Sequence, residues 1–240
     1  MSTRSRPPRW RGAVAPFLVG VALVAGASAA LASERTITRA DAFAVATAIS
    51  VRHGDVPKLK PQSNPMTAQE TAQSAQLTAC VGGVPESEAL ANTQSPNFIN
   101  RSGTSGTLSS GTEILPSIAL VAKDFDAITG PHGLPCLLKQ LRQELVGKPP
   151  KGETVTAHGG RLAPIVAGAD RTFAYRVTVI VTVTRKTTTL ILPLYVDLIG
   201  FTYGQAEVSL TVEAVGAKPS ASLERRLAAV LVARARAAIG

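Results

Sequence analysis

TFAYRVTVIVTVT, residues 172–184, decides the fold. Phe173, Tyr175, Val177, Val179, Val181 and Val183 alternate with Arg176, Thr178, Thr182 and Thr184, and only Ile180 interrupts them. A period of two sends one set to each face of a β-strand, so one face is buried. The β-branched residues fit because their stiff side chains pack well on a pleated surface. Arg185-Lys186 reads as a turn, and residues 188–199 as the next strand, with a break expected at Pro193. Residues 200–204 turn again. Residues 205–215 form a third strand with Ala206, Val208, Leu210 and Val212 inward. Turns this short join only antiparallel neighbours, so the three strands make a meander.

The flanking sequence changes period. After Pro219 and Ser220, Leu223, Leu227, Val230, Leu231 and Ala238 recur at helical spacing, with Glu224 at the positive end of the helix dipole. This stripe is expected to lie on the sheet. Upstream, residues 39–52 read as a helix with Asp41 as cap and Ala42, Val45, Ile49 and Arg52 on one side. Gly54-Asp55-Val56-Pro57 ends it, because Pro57 pushes Val56 out of the helical region. Residues 58–64 read as a loop. Thr67-x-x-Glu70 is a capping box opening a second helix that stops at Gly82-Gly83. Residues 85–111 show no sustained period and read as a flexible loop, with one edge strand near 106–115. Ile118, Val121, Ala122, Phe125 and Ile128 mark a third helix, and Leu137, Leu138, Leu141 and Leu145 a fourth. Helices, a meander and a closing helix give an α+β class, an antiparallel sheet packed by helices.

The N-terminus sets the compartment. Arg4, Arg6, Arg9 and Arg11 precede an apolar run over 13–31, and small residues end in Ala30-Leu31-Ala32. A basic region, an apolar region and an Ala-x-Ala site are the parts of a secretory signal. Residues 1–32 are thus expected to be a signal peptide, cut after Ala29 or Ala32, or else retained as a membrane anchor. Residues 33–240 are then a single exported domain, secreted or held extracytoplasmically. No cysteine lies near the site, which excludes a lipid-modified terminus, and no Arg-Arg pair precedes the run, which argues against the twin-arginine route. In an oxidising compartment the only two cysteines, Cys80 and Cys136, are expected to pair. The loop they close is long, which is worth about 4 kcal/mol in the chain-entropy account.

Charge excludes a further class. The chain carries +9, but four arginines lie before Ser33 and a further net +3 lies in residues 221–240. The rest is near neutral, so no nucleic-acid partner is expected. The C-terminal arginines read as a solvated helix face.

Catalytic signatures are sparse. His53, His132 and His158 have no second ligand at metal spacing, and no metal or cofactor site is expected. His132 and His158 read as exposed loop residues. Asp124 and Asp126 read as solvated helix acids. A hydrolase would need Ser109 or Ser110 to converge with His132 or His158 from separate loops. Asp197 stands out as an acid inside an apolar strand, sharing a face with Tyr195 and Ile199. It is either a pocket acid or an outward-facing acid paired with a cross-strand arginine or threonine.

Several short motifs occur in a fixed order: Asp55-Val56-Pro57, Ala79-Cys80-Val81-Gly82-Gly83, Leu134-Pro135-Cys136-Leu137, residues 195–201 (YVDLIGF) and residues 204–208 (GQAEV). With the export signal and the terminal helix, this order resembles exported proteins of actinobacteria. More remotely it is similar to LpqN-like lipoproteins and to the extracellular sensor domains of mycobacterial receptor kinases. The resemblance implies a PsbP-like sandwich. Two departures are evident: the sensor domains carry more than one disulfide, and the lipoproteins carry a lipobox. The functional expectation is a non-catalytic domain that binds a small apolar ligand or envelope component in a cleft between helices and sheet. The alternative is a structural envelope protein acting through protein contacts.

Overall fold

The computed structural model describes residues 36–63, 65–100, 106–145, 153–185 and 188–240, all within the compact unit Ser33–Gly240. The export segment lies outside the described residues. Along the chain come α1 (Arg39–Ile49), β1 (Leu59–Gln62), α2 (Ala68–Val81), β2 (Ala91–Gln94), β3 (Asn97–Asn100) and β4 (Thr107–Ile114). They are followed by α3 (Ile118–Thr129), α4 (Gly133–Leu145), β5 (Glu153–Arg161), β6 (Arg171–Arg185), β7 (Thr188–Tyr203), β8 (Ala206–Val215) and α5 (Ala221–Ile239).

The meander is β6–β7–β8, with Tyr175 opposite Leu198 and Leu198 opposite Thr211. It is the middle of a larger antiparallel sheet of eight strands, ordered β1-β3-β4-β8-β7-β6-β5, with β2 also paired to β4. The class is therefore α+β, as the alternation predicts.

The two faces are dressed differently. Ala174, Ile199, Phe201, Val208, Leu210, Leu108 and Phe98 lie under α1 and α5 and form the larger core with Ala42, Ala46, Ile49, Leu227 and Leu231. On the opposite face Phe173 and Tyr175 meet Phe125 of α3, while Val177, Val179 and Ala157 meet α4 through Leu137, Leu138 and Leu141. Phe173 sits opposite Gly200, where a Cβ would lie 2.0 Å from its ring. A side chain there would displace a buried aromatic.

Four expectations are corrected. Residues 58–64 are not all loop: β1 forms an edge strand against β3, where Pro61 is tolerated because one edge needs no donor. Residues 85–111 are not a single flexible loop, since β2 and β3 lie end to end along β4, which is itself interior to the sheet. The signal was weak because β4 buries Ser110 and Thr112 between Leu108 and Ile114, so small hydroxyls replace the usual aliphatics. His158 lies on β5, opposite Thr178, rather than in a loop, although it is exposed. β5 was hidden because Ala157 is the only residue that it fully buries. Pro193 does not break β7. It lies where β8 ends, and its carbonyl still accepts a bond from the Gly216 amide at 2.8 Å.

α2 carries the expected capping box, with Thr67 accepting from the Glu70 amide and Glu70 from the Thr67 amide. It ends at Gly82, whose φ of 77° falls in the left-handed region that glycine adopts without strain. None of its residues is buried. It rests on α4, and Cys80 is bonded to Cys136 in the first turn of that helix, with Cα atoms 5.9 Å apart. A disulfide fits an oxidising, extracytoplasmic setting. No helix among the described residues is long and apolar enough to cross a membrane.

The arginines of α5 are not simply a solvated face. Arg234 pairs with both oxygens of Asp55 at 2.8 Å and donates to the Ser50 carbonyl. Arg226 donates to the Asp55 carbonyl and Arg236 to that of Gly168. Burial would raise the Asp55 carboxyl, but the Arg234 and Arg52 bonds outweigh it and hold the group below its ordinary range. The Asp-Val-Pro turn after α1 is thereby clamped to the terminal helix.

Candidate functional site

A cleft of about 580 Å³ opens between the C-terminal end of α1 and the β1–β2–β3 edge of the sheet. Its construction begins with serines. Ser50 donates to the Ala46 carbonyl and ends α1, and the next amide, Val51, donates to Ser110 Oγ at 2.9 Å. Between β2 and β3 the chain passes Ser95-Pro96. Pro96 has no N–H to give, and beside it Ser95 Oγ accepts from the Ser110 amide at 2.9 Å. Its amide donates to the Ser110 carbonyl. The two hydroxyls hold the turn after α1 against the gap between the short strands. The buried pair Val51 and Phe98, with Pro61 and Pro96, makes an apolar floor. Phe43 stands over it with 66% of its surface exposed. Arg52, His53 and Asn92 lie at the polar rim. Thr93, which also lines the cleft, has a buried hydroxyl with no hydrogen-bond partner among the described residues.

Sequence reasoning found the helix that supplies one wall but not the strands that supply the other. Phe43 was legible only as a flank of the α1 stripe. Thr93 and Phe98 fall in the stretch read as loop, and Asn97-Phe98-Ile99-Asn100 does not alternate in a way that marks a strand.

The predicted site residues are not brought together here. Ser110 is committed to the serine bridge. Ser109, its neighbour on the strand, lies on the opposite face of the sheet. His158 is on β5, four strand positions from β4, a separation of about 19 Å at ordinary spacing. His132 is exposed in the turn between α3 and α4. No serine–histidine set assembles from these four residues.

Asp197 does not line the cleft. It is opposite Arg176 in the ladder and takes two bonds from it, from Nε at 2.6 Å and from Nη2. It is fully buried, beneath Glu224 of α5, which is 2% exposed. A cross-strand arginine is one of the partners expected for an outward-facing Asp197, but the carboxylate faces the core rather than solvent. Burial and the hydrogen bond with Asp197 push the Glu224 carboxyl up to about 8, so it holds its proton at neutral pH. Glu224 follows the Leu227 and Leu231 stripe at helical spacing, a signal that it faces inward.

The opposite face hides a second acidic group. Glu113 of β4 sits directly across from Glu207 of β8, and Asp124 of α3 joins them. Burial, then the nearby acids, raises Glu113 to about 7 and Glu207 well above its ordinary value. Asp124 also accepts the Val84 amide, so it is not the solvated acid that its helix spacing suggests. Among the described residues no group of three or more histidine, cysteine or acidic side chains could hold a metal ion.

These raised carboxyls have one sign. Each binds a proton more tightly folded than unfolded, so its stabilisation is complete below pH about 4.5 and is lost as pH rises through the folded value. We expect the melting temperature to fall between pH 5 and about 8, and Glu224→Gln to flatten that fall. Calorimetry at pH 5 and pH 8.5 checks it. Equal slopes for wild type and variant would contradict the placement of Glu224.

Comparison with known proteins finds no family model and no curated protein that matches the chain.

Proposed function

We propose that this domain is an exported, non-catalytic binding module that holds a small apolar ligand or envelope component in the cleft between α1 and the β1–β3 edge. The observation that carries the reading is the cleft itself. Its volume of about 580 Å³ falls within the usual range of ligand sites, its floor is apolar, and its few polar groups sit at the rim and at Thr93. The exposed ring of Phe43 gains burial if a ligand fills the space beneath it. The disulfide supports a setting outside the cytoplasm, as the expected export signal does, and envelope lipids and their fragments are apolar ligands of the kind such a module would meet there.

Mass spectrometry of species extracted from protein purified from its own host tests the reading. A co-purifying apolar compound is expected, with Phe43→Ser retaining roughly tenfold less of it, the equivalent of about 1.4 kcal/mol. Absence of any bound species, together with no thermal shift on adding envelope lipids, would overturn it.

A second reading, a structural envelope protein, draws on a different surface. Leu190, Ile191 and Leu192 are exposed on β7 beyond the point where β8 stops, leaving an apolar strand edge open to partners. The C-terminal arginines do not favour it, since three of the four are bonded within the domain. Cross-linking in the native host separates the two readings.

A further inference from the structure

A second cleft, of about 520 Å³, lies where β5 leaves the edge of β6, below the end of α3. Its lining is a ladder of cations and rings. Arg171 lies over the Phe125 ring at 4.5 Å, Phe125 meets Phe173 edge-on at 5.6 Å, Phe173 meets Tyr175 at 5.3 Å, and Arg161 lies 5.8 Å from the Tyr175 centroid. The rings are buried and fixed. The Tyr175 hydroxyl donates to the Ile128 carbonyl, and Phe173 fills the space left by Gly200.

The two arginines differ. Arg171 is neutralised by Asp126 and also donates to the Ala122 carbonyl. Arg161 donates one N–H to the Thr129 carbonyl and has no carboxylate partner among the described residues. A guanidinium carries five donors in a planar fork, so Arg161 keeps most of its capacity while the Thr129 bond holds it in place. No acidic side chain lines the cleft. A pre-positioned cation without a counter-ion, above an apolar aromatic floor, selects an anion that carries an apolar body. We propose that this cleft binds a small organic carboxylate, its carboxylate on the Arg161 fork and its apolar part against Phe173 and Leu162. Inorganic anions would meet the charge but not the floor, and neutral apolar compounds the floor but not the charge.

The probes are benzoate, its neutral analogue benzyl alcohol, and acetate, each titrated into the full domain and followed through backbone amide shifts. Benzoate is expected to move the amides of Thr129, Arg161 and Thr172–Tyr175, and to bind roughly tenfold more tightly than either of the others. Arg161→Met is expected to remove that advantage. Arg161 is exposed at a strand end, so the variant should fold. If it does not, raising the salt in the wild-type titration serves instead, because screening weakens benzoate binding and leaves benzyl alcohol unchanged. Equal binding of benzoate and benzyl alcohol, an unchanged benzoate affinity in Arg161→Met, or benzoate binding indifferent to salt would overturn the proposal. So would the absence of any shift at these amides.

Discussion

Asp197→Ala is expected to destabilise the domain by roughly 3–5 kcal/mol, because it strips a mostly buried guanidinium of its bidentate partner. Arg176 and Asp197 face each other across β6 and β7 under α5; the carboxylate is fully buried and the arginine side chain keeps 19% of its surface exposed. Glu224 sets where in the range the cost falls. Burial still raises the Glu224 carboxyl with Asp197 gone, but the Asp197 hydrogen bond and like charge that add to it are removed, and Glu224 can ionise more readily against Arg176. The loss should therefore be near 3 kcal/mol at pH 8, where Glu224 takes over, and larger at pH 5, where it cannot. Adding Glu224→Gln should abolish the rescue, so the double variant costs more than the sum of the singles. Guanidinium melts at the two pH values read this directly. A loss under about 1 kcal/mol for Asp197→Ala at pH 5 would mean that the pair is not buried as described.

Replacing both cysteines by alanine is expected to cost about 4 kcal/mol, from freeing a loop that spans 56 residues of separation. The damage should be uneven. α2 buries none of its own residues and lies against α4, so the Cys80–Cys136 bond is its main attachment. Hydrogen exchange should show α2 amides losing protection well before those of β6, β7 and β8. Retained protection in α2, with an unchanged melting midpoint, would show that packing alone holds it.

How far the sequence told this in advance depends on what each element buries. The β6–β7–β8 meander was legible because its inward positions are valine, leucine and phenylalanine, and alternation then reports a buried face. β4 is just as buried, but it places Ser110 and Thr112 inward, and hydroxyls carry no hydropathy signal. β1, β2 and β3 are four residues each, too short for a period to emerge. The cleft is built largely from these hidden strands, and so its location was not readable. The capping box of α2 was, because Thr67 and Glu70 act on their own backbone. Asp197 is visible in the sequence as an acid within an apolar strand, but its place away from the cleft is not. Its burial depends on α5, which begins 24 residues further along the chain, and on Glu224 turning inward. Arg161 gave no signal at all, since its role depends on where β5 parts from β6.

The two clefts lie on opposite faces of one sheet and differ in chemistry. One has an apolar floor and a polar rim; the other has an aromatic floor and a cation, Arg161, with no carboxylate partner among the described residues. The apolar cleft remains the centre of the account. Backbone amide mapping with 1-decanol, a neutral apolar chain, tests it most directly. Saturable shifts at Phe43, Val51, His53, Thr93 and Phe98 are the predicted result. Shifts confined to other surfaces, or none at saturating ligand, would contradict it.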